Sequence, residues 1–119
     1  MTITRFDTGP RMSQAVVHNG TAYLAGQVAD NVSNNEGVEA QTKDILAQID
    51  ELLAQVGSDK TRLLSATIYL ADMSTFAEMN RAWDGWVAAG HTPARATVEA
   101  KLAGPQYRVE ISIVAAVGA

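Results

Sequence analysis

The chain has 119 residues, of which 47% are hydrophobic, and a formal net charge of −4 at pH 7. This length favours one domain spanning residues 1–119, and the negative charge argues against a general surface for nucleic acid or anionic membranes. Without cysteine there are no disulfides or thiolate chemistry, and two histidines form no metal-ligating cluster. No basic segment precedes an apolar one at the N-terminus, and no apolar run approaches about 18 residues. We therefore expect no metal, no membrane partner and a cytoplasmic location.

The first third of the chain predicts short strands joined by a tight turn. Residues 2–6 favour a short edge strand, and residues 14–18 and 23–25 favour two more. Between the latter two lies Asn19-Gly20, which is typical of a two-residue type I′ hairpin. Residues 30–37 are rich in Asn and Ser, which predicts a loop.

Two amphipathic helices follow, separated by a strand. The first is expected to stop at Gly57, and the second to start near Asp72 or Ser74 and stop at Gly90. The strand between them alternates apolar and polar residues, with one apolar side facing the core. The apolar stripes are Ile45, Ile49, Leu52, Leu53 and Val56 in the first helix, Leu64, Ala66, Ile68 and Leu70 in the strand, and Phe76, Met79, Trp83 and Val87 in the second helix.

The last third alternates with the two-residue period of strands, over residues 94–102 and 107–115. This alternation predicts that Arg95 and Glu110 lie together on the face of the sheet that is turned away from the core. The predicted core side holds Ala96, Val98, Ala100, Leu102, Val109, Ile111 and Ile113, and the opposite side holds Arg95, Thr97, Glu99, Arg108, Glu110 and Ser112.

Charged side chains on a half-exposed sheet are often only solvated, and cross-strand pairs of opposite charge contribute roughly 0.2–1 kcal/mol. Arg95 has a further property, because Pro93 fixes the backbone just before it and places it where a strand leaves a turn. A guanidinium there offers a planar fork for binding a carboxylate. Both interpretations follow from the spacing alone.

The order of strands, helix, strand, helix and strands predicts an α+β fold, with both helices on one face of a mixed sheet. Right-handed crossovers would make the strands that flank each helix parallel. The uncovered face combines charged side chains with apolar ones such as Leu63 and Val114. Such a face indicates oligomerisation as readily as solvation.

The run PARATVE at residues 93–99, followed by VEI at 109–111, resembles the C-terminal signature of the RidA (YjgF/YER057c-type) superfamily. The runs SQAV at 13–16 and LAGQ at 24–27 are similar to its N-terminal motifs, and VHN at 17–19 is closest to its small bacterial YoaB-like branch. The resemblance implies a chorismate-mutase-like (RidA-like) fold. It also implies a homotrimer with three ligand clefts between neighbouring subunits.

The resemblance further implies hydrolytic deamination of 2-imino and enamine acids, such as imines derived from 2-aminoacrylate, to 2-keto acids and ammonia. In that reaction Arg95 would hold the substrate carboxylate and Glu110 would position the attacking water, while backbone near Gly26 could bind the ligand. No metal or organic cofactor is implied. Imines hydrolyse readily, so orientation and a held water suffice for such a hydrolase, whose role would be metabolite damage control.

Two departures from the family pattern keep a second function open. Active members carry Tyr where this chain has Met12, and Ser or Thr where it has Ala25, so two polar groups are missing and a pocket for larger imino acids is a hypothesis. Arg11 could bind a carboxylate in part compensation or be a solvated surface residue, and His91 could act indirectly through Arg95. The alternative is a non-catalytic small-carboxylate-binding or regulatory protein that uses the same clefts. A chorismate-mutase-like enzyme would rest on fold analogy alone.

Overall fold

A computed structural model of the chain describes residues 2–30 and 37–118, so the predicted loop at 30–37 lies almost entirely outside the described residues. These residues form one six-stranded mixed sheet with strand order β1-β2-β3-β6-β4-β5. Two α-helices pack on one face of this sheet. The elements are β1 (Thr4–Phe6), β2 (Ala15–His18), β3 (Thr21–Leu24), α1 (Val38–Gln55), β4 (Leu63–Leu70), α2 (Phe76–Asp84), β5 (Ala94–Glu99) and β6 (Val109–Ala116).

The predicted hairpin is confirmed. His18 pairs with Thr21 across the turn, and the two turn residues have positive φ angles of 53° at Asn19 and 75° at Gly20. A type I′ turn requires positive φ at both central positions, which Asn and Gly accept at the lowest cost. The short strand at the N-terminus is also confirmed as β1.

The parallel relation of the strands that flank each helix is confirmed as well. Strands β3 and β4, which flank α1, are both antiparallel to β6 and are therefore parallel to each other. Strands β4 and β5, which flank α2, pair directly in parallel. The helices pack most of their apolar stripes on the sheet, where Ile45, Ile49 and Met79 are fully buried. Phe76, which was expected in the stripe of the second helix, is instead 38% exposed.

The first helix ends as predicted, whereas the second is shorter than predicted. Gly57 follows the C-cap of α1 with φ of 82°. The Asp72 carboxylate accepts a hydrogen bond from the Ser74 amide at 2.9 Å, but it caps a 3-10 turn, Met73–Thr75, that leads into α2. Helix α2 then ends at Asp84 with Gly85 as its C-cap, because glycine is a poor helix former. Gly90 lies in a later turn.

One predicted core position in β4 is wrong. Leu64 is 49% exposed, whereas Leu63, which was expected on the open face, is buried. The register explains the exchange, because Leu63 pairs with Ala115 while Ser65 pairs with the adjacent Val114. A bulge adds one residue to β4 at this point and reverses which side chains face the helices.

The predicted facing of β5 is also wrong, and this changes the site. Arg95, Thr97 and Glu99 pair with Ala66, Ile68 and Leu70 of β4, all of which are buried beneath the helices. Paired residues direct their side chains to the same face. The polar residues of β5 therefore face the helices, and Ala96 and Val98 face the open side. Strand β5 is an edge strand that is exposed at most positions, so its alternation does not identify the core side.

The segment after β5 also differs from the prediction. Ala100 donates a hydrogen bond from its amide to the Leu70 carbonyl at 2.9 Å, after which the chain leaves the sheet. The strand therefore ends at Glu99 and not at Leu102. In contrast, β6 follows its prediction, with Val109, Ile111 and Ile113 fully buried.

Candidate functional site

Glu110 lies on the open face of the sheet, as predicted. It pairs with Tyr69, which in turn pairs with Val98, so these three side chains form one row across that face. Ser112 lies in the neighbouring row of the same face, because it is two residues further along β6. The carboxylate of Glu110 is thus held by a strand in the interior of the sheet.

Gly26 lies directly beside the Glu110 side chain. A Cβ added at position 26 would come within 3.0 Å of the Glu110 Cδ and closer still to its Oε2. Real side-chain contacts are longer than this, so any residue larger than glycine would displace the carboxylate. The glycine therefore allows the carboxylate to lie against the backbone.

These residues form the floor of a groove of about 480 Å³. The segment from Ala100 to Ala103, which follows β5, forms its wall. The groove thus combines the Glu110 carboxylate, the cationic side chain of Lys101, two hydroxyl groups and apolar side chains. Its lining residues are Gly26, Tyr69, Ala100, Lys101, Leu102, Ala103, Glu110 and Ser112.

Two glutamines hold the backbone that carries Gly26. The Gln27 side-chain amide donates to the Gln14 side-chain oxygen and to the Ala25 carbonyl, both at 3.0 Å. Gln27 and Ile111 exchange two backbone hydrogen bonds of 2.9 and 3.1 Å. Gln27 is only 8% exposed, so these bonds satisfy a buried amide that would otherwise be costly. Sequence reasoning used both glutamines only as motif residues and missed this role.

The remaining predicted ligand contacts do not line this groove within one chain. Arg11 is exposed and Met12 is 48% exposed, in the loop before β2, where the Met12 carbonyl accepts from the Gly9 amide at 2.7 Å. Ala25 is half-buried, and its amide donates to the Gln14 carbonyl at 2.8 Å. Of the predicted site residues, the groove brings together Gly26 and Glu110.

Arg95 and Glu110 lie on opposite faces of the sheet, contrary to the prediction. Arg95 pairs with Ala66, and Glu110 pairs with Tyr69. Ala66 and Tyr69 are three residues apart in the same strand, and side chains alternate between faces at each residue. The guanidinium therefore lies on the helix-covered side, and the carboxylate lies on the open side.

Side chains of α2 lie beside the guanidinium of Arg95, an exposed residue, on the helix-covered side. Its Nη1 donates to Asn80 Oδ1 at 2.8 Å, and its Cζ lies 5.4 Å from the centre of the Trp83 ring and 5.8 Å from that of Phe76. Within residues 2–30 and 37–118, no carboxylate forms an ion pair with Arg95. Its positive charge is thus held in place by neutral groups.

A second cavity of about 700 Å³ shares the Ala100–Ala103 wall with the groove. Its lining includes Glu99, whose carboxylate accepts a hydrogen bond from the Met73 amide at 2.9 Å. Neither Arg95 nor Glu110 lines this cavity. The remaining lining residues are Ala71, Ala100, Lys101, Leu102, Ala103, Gly104, Pro105 and Tyr107.

The other titratable groups in the part of the chain that the structure describes do not form a second site. A hydrogen bond from the Thr61 hydroxyl is the main cause that lowers the pKa of the Asp59 carboxyl, and the charge of His91 adds to this effect. His91 is exposed, and its amide donates to the Ala88 carbonyl at 3.0 Å. In the described ranges, no three acidic, histidine or cysteine side chains are grouped so that they could hold a metal ion. None of the described helices has the length and apolar character required to cross a bilayer.

The fold is that of the YjgF/RidA proteins: a mixed sheet with two helices on one face and a groove on the other. The family described as Endoribonuclease L-PSP matches residues 2–117. This chain therefore belongs to that family, which includes the YjgF, RidA and RutC proteins. The RutC family protein YoaB of Escherichia coli K12 is 52% identical over 119 residues, covering 98% of this chain and 100% of that relative.

Solved structures and more distant relatives agree with this assignment. The structure of a YjgF family member from Neisseria meningitidis matches with a TM-score of 0.95 and 55% identity, covering 100% of this chain and 98% of that one. A rat protein named 2-iminobutanoate/2-iminopropanoate deaminase is 31% identical over 110 residues. That alignment covers 89% of this chain and 80% of the rat protein.

Proposed function

We propose that this protein is a hydrolase that deaminates 2-imino acids, in which Glu110 positions the water and Arg95 binds the substrate carboxylate. The observation that carries this proposal is the Glu110 carboxylate lying against Gly26 in the open groove. The name of the rat relative supports the same reaction class.

The chemistry needs little from the protein beyond placement. An enamine acid such as 2-aminoacrylate first tautomerises to its imine. Water then adds to the C=N carbon of the 2-imino acid, a proton moves to nitrogen, and the C–N bond breaks to release ammonia and a 2-keto acid. A carboxylate in hydrogen-bonding reach of the water would accept its proton as the C–O bond forms and return it to nitrogen. Glu110 is the group proposed for this step, and no cofactor takes part.

A site that uses both Arg95 and Glu110 requires two copies of the chain. The two groups lie on opposite faces of the sheet, on strands that are separated by β4. The open face also carries exposed apolar side chains, including Tyr23 at 50%, Leu64 at 49% and Val98 at 42%. Burial of this face against another subunit would be favourable. The exposed face favours assembly, the family resemblance implies a homotrimer, and we propose a homotrimer in which Arg95 of one subunit approaches the groove of its neighbour.

The groove suggests which substrates would fit. Its apolar wall of Ala100, Leu102 and Ala103 offers space for an aliphatic side chain. Met12 and Ala25 supply no hydroxyl group, so we expect branched 2-imino acids to be accepted at least as well as the smallest one. The net charge of −4 gives no reason to propose RNA as a substrate, whatever the family's description says. A role in clearing reactive imines in the cytoplasm stays a prediction.

A non-catalytic function in binding small carboxylates is the second candidate. It is favoured by the exposure of Met12 and by the absence of Arg11, Met12 and Ala25 from the lining of the groove. Both candidates use Arg95 for the carboxylate, so turnover separates them and binding does not.

The decisive experiment measures decay of 2-imino acids that an amino-acid oxidase generates in place, with semicarbazide trapping the imine that remains. Native protein should reduce the trapped imine, whereas Arg95→Ala and Glu110→Gln should each be about a hundredfold slower or worse. Glu51→Gln, in an exposed position of α1, is the matched carboxyl control.

Turnover decides between the two candidates, and binding tests the role of Arg95 that both share. Native protein that binds pyruvate by calorimetry but leaves the imine decay unchanged would be a binding protein. Loss of pyruvate binding in Arg95→Ala is expected under both candidates, and unchanged affinity would contradict both. Normal turnover in Glu110→Gln would contradict the role proposed for that carboxylate.

A further inference from the structure

Three side chains on one stripe of α2 lie beside the guanidinium of the exposed Arg95. Phe76, Asn80 and Trp83 are spaced by four and three residues, which places them on one side of the helix. The aromatic rings lie within 6 Å of the Arg95 Cζ, at 5.8 and 5.4 Å, which is the range of cation–π attraction. The Asn80 amide oxygen accepts one guanidinium hydrogen bond at 2.8 Å.

We propose that Phe76, Asn80 and Trp83 are positioning residues that fix the Arg95 guanidinium for carboxylate binding. This inference rests on the function proposed above. It adds the groups that hold the Arg95 guanidinium in the orientation needed to bind the substrate carboxylate. The rings restrict the plane of the guanidinium, while Asn80 restricts its rotation within that plane. A guanidinium has five N–H donors, so one bond to Asn80 leaves the others available for a two-pronged contact with a carboxylate.

The neutral character of these three groups is essential to the inference. A carboxylate in the place of Asn80 would also hold Arg95, but it would compete with the substrate for the charge. An amide and two ring faces hold the cation without neutralising it. Preorganisation of this kind lowers the loss of side-chain freedom when the ligand binds.

Helix α2 is itself held rigidly, which a positioning role requires. Met79 is fully buried, Trp83 is 5% exposed, and their burial fixes the rotation of the helix on the sheet. Arg81, next to Asn80, donates to the Glu39 carboxylate of α1 at 2.9 Å. Trp86 is the second tryptophan of the chain, and its ring lies 5.5 Å from that of Trp83. Its indole N–H bonds to Asp50, so Trp86 belongs to the packing between the helices.

Paired substitutions at Asn80 provide the sharpest test. Asn80→Leu removes the hydrogen bond, whereas Asn80→Asp keeps an acceptor at the same place and adds a charge. We expect Asn80→Leu to raise the KM for 2-imino acids about tenfold with a smaller change in kcat. Asn80→Asp should raise both KM and the Kd for pyruvate at least as much, while leaving Arg95 ordered.

The aromatic groups are tested by rescue. Trp83→Leu should raise KM severalfold, and Trp83→Phe should restore most of the loss, because a ring face remains. Phe76→Leu should have a smaller effect, since Phe76 is 38% exposed. Trp86→Phe is the control, because it changes the packing beside Trp83 but touches neither Arg95 nor its amide partner. Circular dichroism and melting curves identify any variant that fails to fold.

A readout without substrate keeps this inference separate from the proposed function. The Arg95 Nε–H resonance in NMR should show an ordered side chain in native protein and in Asn80→Asp, and a mobile one in Asn80→Leu and Trp83→Leu. Equal order in all four proteins would overturn the positioning role, even if the enzyme were active. Loss of order with no turnover in native protein would support the positioning role and contradict the deaminase.

Discussion

The Glu110 groove and the Arg95 environment are two halves of one proposed site, yet they are built by different means. The groove depends on backbone placement, because Gly26 is held against Glu110 by hydrogen bonds of Gln14 and Gln27. The Arg95 environment depends on side chains of one helix. One half lies on each face of the sheet, so the proposed site would form only where two copies of the chain meet.

The largest expected effect is recovery of imine turnover when two inactive variants of the chain assemble into the same trimer. Arg95→Ala and Glu110→Gln should each be inactive alone, but co-expressed chains should form mixed trimers. Random mixing would give about a quarter of sites an intact Arg95 from one chain and an intact Glu110 from its neighbour. We therefore expect roughly that share of native imine turnover. Mixed trimers that are verified by native mass spectrometry but stay inactive would refute a site shared between copies.

The assembly itself can be broken at the open face. Leu64→Asp places a charge on exposed apolar surface that the proposed trimer would bury. An unpaired charge in an interface should weaken association by about a hundredfold or more. Sedimentation should then show monomer at concentrations where native protein is a trimer. Ala47→Asp, on the exposed side of α1, is the control and should leave the sedimentation unchanged.

The Glu110 groove can be disturbed by a substitution at Gly26 that leaves the Arg95 environment unchanged. Gly26→Ala would push aside the Glu110 carboxylate, which is the flexible end of a side chain, so the melting temperature should change little. Turnover should fall about tenfold, since the water would lose its fixed acceptor. Gly37→Ala is the matched control, because its Cβ would meet Glu78 at an ordinary 3.7 Å. Unchanged kcat/KM in Gly26→Ala would show that the contact is incidental.

The smallest expected effect concerns the pH dependence of stability that arises from Glu39, the carboxylate of α1 that bonds to Arg81 of α2. A hydrogen bond from Arg81, and a second from Lys43, lower the pKa of Glu39 below its ordinary value of 4.5. A lowered folded-state pKa stabilises the protein above the unfolded pKa, and this contribution disappears as the pH falls through the folded value. Melts from pH 6 to pH 3 should therefore lose slightly more stability in native protein than in Glu39→Gln. Parallel curves would show that this exposed pair contributes nothing.

The sequence predicted part of the Arg95 environment. The spacing of Phe76 and Trp83 predicted one apolar stripe, and both do lie on one side of α2. Their contact with Arg95 depends on how α2 lies against β5, which no spacing encodes. The bulge at Leu63/Ser65 was equally hidden, because a run of two leucines fits either face.

Local patterns decided much of this protein from sequence alone: the Asn19-Gly20 turn, the helix that stops at Gly57, the buried side of β6, and the family signature at residues 93–99 and 109–111. For the turn, the helix end and β6, neighbouring residues determine the outcome, through allowed φ angles or through a regular period, whereas the signature indicates the family by resemblance. Only the tertiary structure decided which way β5 faces and hence that Arg95 and Glu110 are separated. An edge strand exposed on both sides has no hydrophobic preference strong enough to set its facing, so its pairing with β4 and its contacts with α2 set it instead.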